Sequence, residues 1–114
     1  MISNKHVVLD GKASFYACIL PDIKKAAREC GWAIGVHGSL QHDLDLMAMA
    51  WTEEATTPEV LMNAIRNCFV DNRNMPIAYY DKPNNRVVYT ISIFADWYLD
   101  INFIKSNYEK GVKE

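Results

Sequence analysis

The sequence predicts an α+β fold: a two-layer sandwich in which two helices cover one face of a mostly antiparallel sheet of five or six strands, in the order (β)αββαβββ. Three observations predict it. Two segments carry apolar residues at helical spacing, several others alternate at period two, and the later strands are separated only by tight turns. Strands joined by two to five residues pair antiparallel, and two helices suffice for only one face of such a sheet. With 114 residues, half of them hydrophobic and 23% charged, the chain has the size and balance of a single domain spanning 1–114.

Each element has its own signal. Val7-Val8-Leu9, ahead of Asp10-Gly11, reads as an optional edge strand. Ile23, Ala26, Ala27 and Cys30 fall at i, i+3, i+4 and i+7, so a helix is expected over 21 to 30, with Pro21 in its first turn and Gly31 past its end. Lys24, Lys25 and Arg28 then form a basic stripe on its outer face. A β-rich run over 32 to 37 ends at Gly38-Ser39, and 43 to 51 alternates strictly. Thr56-Thr57-Pro58-Glu59 supplies a cap, a first-turn proline and an early acid; Leu61, Ala64, Ile65 and Cys68 continue that helix to about Phe69. Strands over 77 to 81 and 86 to 94 flank the turn Lys82-Pro83-Asn84-Asn85. Ala95-Asp96 makes a second turn before a last strand over 97 to 104.

Alternation also assigns faces. Leu44, Leu46, Ala48 and Ala50 point one way with Tyr89, Ile91, Ile93, Trp97, Leu99, Ile101 and Phe103. Asp43, Asp45, Thr90, Ser92, Asp100 and Asn102 point the other way, edged by Met47, Met49, Tyr80 and Tyr98. The face turned from the helices is thus expected to be polar and to carry three carboxylates.

Composition narrows the function. A net charge of −2 is wrong for gripping a nucleic acid polymer, which calls for a surplus of Lys and Arg. No apolar run approaches the ~20 residues of a membrane span, and the first residues lack the core of a signal peptide, so a cytoplasmic protein is expected. Cys18, Cys30 and Cys68 are an odd number without a CxxC pair and read as reduced structural thiols, Cys30 and Cys68 on buried helix faces. No cofactor is implied.

Two constellations carry chemistry. His37-Gly38-Ser39 followed by Asp43-Leu44-Asp45-Leu46 resembles the nucleotidyltransferase superfamily, in which Gly-Ser backbone holds triphosphate and paired carboxylates bind Mg²⁺. That resemblance implies Asp43, Asp45 and Asp100 as metal ligands. The chain departs from the pattern because only Leu40-Gln41-His42 separates Gly-Ser from the acids, too short for phosphates, and no Lys or Arg lies there. The second constellation is aromatic and cationic: Tyr80 and Tyr98, forced outward by alternation, with Lys82, Asn84 and Arg86 nearby, suit a flat purine or a sugar-phosphate. His37 and Asp45 would reach ribose hydroxyls, and Arg28 a phosphate. An exposed face bearing methionines predicts a homodimer or higher oligomer.

Finally, Pro21-Asp22-Ile23-Lys24-Lys25-Ala26-Ala27-Arg28, Val36-His37-Gly38-Ser39, Asp43-Leu44-Asp45-Leu46-Met47-Ala48 and Trp51-Thr52-Glu53-Glu54-Ala55 resemble a family of small tailed-phage and prophage proteins. Some proteins of this size and architecture resemble the Thoeris anti-defence sponges, which sequester a cyclic ADP-ribose isomer. The resemblance implies a phage protein that captures a cyclic nucleotide immune signal without catalysis and without a metal. Two alternatives stand beside it: a minimal Mg²⁺-dependent nucleotidyltransferase-like protein, and a protein-binding inhibitor of a host factor that uses the exposed sheet face.

Overall fold

The computed structural model describes residues 11–38, 40, 42–69, 75–94 and 96–105. The expected edge strand at 7–9 and the tail beyond 105 lie outside the described residues. Seven elements run in chain order: α1 (Lys12–Glu29), β1 (Trp32–His37), β2 (Leu44–Ala50), α2 (Pro58–Arg66), β3 (Ile77–Lys82), β4 (Arg86–Phe94) and β5 (Trp97–Ile104). The strands form one sheet in the order β1-β2-β5-β4-β3. The pairs joined by short turns, β1 with β2, β3 with β4 and β4 with β5, are antiparallel. The central pair, β2 with β5, is parallel. The expected two-layer α+β architecture is the one observed.

The first helix corrects the sequence reading. It starts at Lys12, and Pro21 sits inside it instead of in its first turn. The proline has no N–H to give the Ala17 carbonyl, yet the helix runs through it, because the residues before it bury too much to be left out. Tyr16 is fully buried on the same inward face as Ile23 and Ala27, and its ring lies 6.2 Å from that of Trp97. Gly11 opens the helix with φ 63 and no side-chain cap, so tertiary packing, more than capping, fixes this end.

Gly31 ends α1 in a left-handed conformation at φ 85. A Cβ there would stand 2.6 Å from Thr52 Oγ1 and 2.8 Å from Ala55 Cα, so only glycine fits. Its carbonyl accepts hydrogen bonds from Trp51 N and Thr52 N, tying the helix terminus to the end of β2. The second helix opens as its sequence dictates: the Thr57 hydroxyl accepts from Val60 N at 3.3 Å, with Pro58 at the start. It stops at Arg66, earlier than expected, because the next amides close tighter turns, Cys68 N to Ile65 O and Phe69 N to Arg66 O.

Between the layers lie Leu44, Leu46, Leu99, Ile101 and Phe103 from the sheet, against Ile23, Leu61 and Ile65 from the helices, all without solvent exposure. Burial of each such side chain is worth about 1.5–3 kcal/mol. Phe103 sits at the centre, edge-on to Trp32 at 5.1 Å and to Tyr89 at 5.4 Å. The Trp32 indole N–H donates to Thr56 O at 3.0 Å, so a large ring is buried with its one polar group satisfied.

Candidate functional site: the open sheet face

With both helices on one side, the opposite face of the sheet has no helix against it among the described residues. The strand register arranges its side chains in rows. One row reads His37, Asp45, Asp100, Thr90 and Ala78 across all five strands. The next reads Gly35, Met47, Asn102, Val88 and Tyr80. Beyond it Arg86 pairs with Ile104 on one side and Lys82 on the other. Five of the seven expected ligand residues, His37, Asp45, Tyr80, Arg86 and Tyr98, therefore share this face. Asn84 sits beyond its end, at φ 66 in the turn next to Lys82 and Arg86.

The carboxylate row is electrostatically loaded. Burial raises the Asp43 carboxyl above its ordinary 3.8, and the Asp100 charge and a hydrogen bond to Asp100 raise it further; Lys12 and His42 pull the other way. Asp45 is raised by the same causes in the same order, with Asp43 adding to them and His37 opposing. A hydrogen bond between two carboxyls exists only while one holds a proton, so the cluster retains protons that isolated carboxylates would release. The Thr90 hydroxyl donates to Asp100 Oδ1 at 2.6 Å. Among the described residues, no group of three or more His, Cys, Asp or Glu is arranged to hold a metal ion.

The other end of the face is cationic. Arg86 Nη1 donates to Asn102 Oδ1 at 3.0 Å and its Nε to Pro83 O at 3.2 Å, so neutral acceptors position the guanidinium. Lys82 Nζ lies 6.0 Å from the centre of the Tyr80 ring, in cation–π range. Four residues along β4, about 13 Å, separate Thr90 in the acidic row from Arg86. Between the two ends lies the row of Met47, Asn102, Val88 and Tyr80, in which Met47 and Tyr80 are each 52% exposed.

Two of the expected ligand residues stand apart from the others. Arg28 lies on the helix layer, on the far side of the sheet, in a groove with Ala17, Leu20, Pro21, Lys24 and Leu40. The direction of α1 forces this, because its inward positions are taken by Ile23, Ala26 and Ala27. Tyr98 is half-buried opposite Ser92 and offers less ring surface than Tyr80. Cys30 and Cys68 are half-buried and Cys18 is exposed. Burial, followed by Asp22 and Glu29, raises the Cys68 thiol, which disfavours the reactive thiolate.

Sequence reasoning also missed a feature on the helix side. At the β3 edge, Tyr79 stacks on Tyr89 at 5.1 Å, and the Tyr89 hydroxyl donates to Glu59 Oε2. With Met62, Asn63 and Ile77 these residues line a shallow groove. Tyr79 alternates with the outward Tyr80, but a ring on a helix-facing position reads as core, and the edge position of β3 leaves it half exposed.

The fold and face together define a class: a small α+β sandwich with one polarised sheet face that no helix covers among the described residues. No helix among the described residues is long and apolar enough to cross a membrane. Comparison with protein-family models, with curated proteins and with solved structures finds no match to this chain.

Proposed function

We propose that this chain is a non-catalytic capture protein that holds a cyclic nucleotide of the cyclic ADP-ribose kind on its open sheet face, and that it acts as a phage anti-defence protein in the cytoplasm of an infected host. One observation carries the reading: a half-exposed ring, a guanidinium fixed by neutral acceptors and a row of hydrogen-bonding carboxyls lie on a single face. Tyr80 offers a stacking surface for a purine, Arg86 a donor pair for phosphate, and Asp45 with Asp100 acceptors for ribose hydroxyls. A flat sheet encloses little by itself, so tight capture calls for a second wall.

A second reading, protein binding through the same face, is favoured by the exposed Met47 and Met49, since methionine surfaces adapt to varied partners. The nucleotidyltransferase alternative, with Asp43, Asp45 and Asp100 on Mg²⁺, gains nothing from the carboxyl geometry.

Calorimetric titration with cyclic ADP-ribose isomers tests the proposal. Wild-type protein should bind. Tyr80→Ala should weaken binding by about 1–3 kcal/mol, the worth of one stacked base, and Arg86→Ala should weaken it as well. Arg28→Ala, on the far layer, should leave it unchanged. Equal affinity in the Tyr80 and Arg86 variants would remove the open face as the site, and heats absent from wild type but present with a host protein would favour the second reading.

A further inference from the structure

The open face is polarised in a way that matches itself. Asp43, Asp45 and Asp100 crowd one end, Arg86 and Lys82 occupy the other, and the row between them is Met47, Asn102, Val88 and Tyr80. Among the described residues neither Arg86 nor Lys82 forms an ion pair. Arg86 is held by Asn102 and Pro83, and Lys82 lies over Tyr80. Among the described residues no Lys or Arg of the face lies in the carboxylate row; the positive groups that act on Asp43 and Asp45 are Lys12, His42 and, at the β1 edge of the row, His37. Each end is thus short of the charge that the other end carries.

We propose that this face pairs with the same face of a second copy, about a two-fold axis that lies between the two sheets and runs across their strands. That operation reverses the strand direction and keeps the strand order, so the row Asp45, Asp100, Thr90 and Ala78 of one copy lies over the row Met49, Ile104, Arg86 and Lys82 of the other, twice. Arg86 then comes over Thr90 of the opposing β4 and beside Asp100. The central row meets itself, Met47 against Met47, and buries Met47 and Tyr80, which are half exposed in one copy. A two-fold axis running along the strands would instead set acid against acid, and like charges in contact disfavour it.

The dimensions suffice. Five strands at the usual spacing make a face about 24 Å wide, and strands of this length make it about 20–30 Å long. That is on the order of the 800 Å² per partner of a standard stable interface. Face-to-face sheet packing with inward side chains about 10 Å thick is a common architecture. The pairing does not rest on the nucleotide reading.

Sedimentation equilibrium of the full chain tests it. Wild type is expected to be a dimer at micromolar concentration and to dissociate more readily as salt rises. Met47→Glu changes a half-exposed side chain, so the fold survives, but it sets two carboxylates against each other on the axis. Association should weaken by about a hundredfold. Arg86→Glu should also dissociate the dimer, and adding Asp100→Arg to it should restore association. Circular dichroism of each variant separates lost pairing from lost fold. A wild type that stays monomeric, a Met47→Glu dimer as tight as wild type, or a folded double charge swap that stays monomeric overturns the inference. Nucleotide binding, measured separately, is free to succeed or fail without altering this result.

Discussion

At the scale of single residues, the carboxyl row sets the chemistry of the face. Asp43 and Asp45 hold their protons more tightly in the folded chain than in the unfolded one, because burial and Asp100 disfavour the ionised form. A group raised in this way contributes stability while protonated. That contribution is present below the ordinary 3.8 and is lost as pH climbs through the raised value. Wild-type stability in urea should therefore fall as pH rises from about the ordinary carboxyl range toward neutrality. Asp45→Asn keeps the shape and removes one charge, so its unfolding free energy should fall less over the same window and exceed that of wild type near neutral pH. Parallel pH profiles for the two proteins would show that folding does not raise the Asp45 carboxyl. Asp81, fully exposed, is shifted the other way by Lys105 at 2.9 Å. Tyr16 stays protonated throughout, its hydroxyl pushed up to about 12 chiefly by burial and donating to His42 O.

At the scale of elements, the short-range signals were legible and the long-range ones were not. The last three strands begin and end within a residue or so of the boundaries that alternation and turn residues indicate, because a hairpin is specified by neighbours in sequence. Thr57 capping was likewise readable from four residues. The parallel pairing of β2 with β5 was not, since it joins residues such as Asp45 and Asp100 that are far apart in the chain and meet only through the packed core. That pairing is what turns two separate acidic motifs into one row. The proline in α1 misled for a similar reason: its local preference for a first turn is outweighed by burial of Tyr16 at a distance. Removing that local penalty should help. Pro21→Ala is expected to raise stability by about 1 kcal/mol or more, because it restores an amide for the Ala17 carbonyl at an exposed site. Thermal unfolding reads this directly, and a lower melting temperature would mean that the proline's ring contacts matter more than its missing hydrogen bond.

At the scale of the whole molecule, the layout separates duties. One side of the sheet is spent on the helices and the core, and the other is left with charges at its two ends and apolar side chains between them. The seven candidate residues divide accordingly: Asp45, His37, Tyr80, Arg86 and Tyr98 on the face, Asn84 at its margin and Arg28 on the opposite layer. Outward alternation identified the face residues, and helical spacing put Arg28 with Lys24 on the outer side of α1, where it stands; within one chain that position is a whole sheet away from the face. A face that captures a nucleotide without changing it gives the ligand back intact, so the experiment to make is recovery of what the protein has bound. Protein saturated with a cyclic ADP-ribose isomer is freed of excess ligand and heated, and the released molecule is weighed by mass spectrometry. Capture without catalysis should release one equivalent or less per chain, of unaltered mass and still cyclic. Release of a linear or hydrolysed product, or no ligand carried through at all, would contradict it.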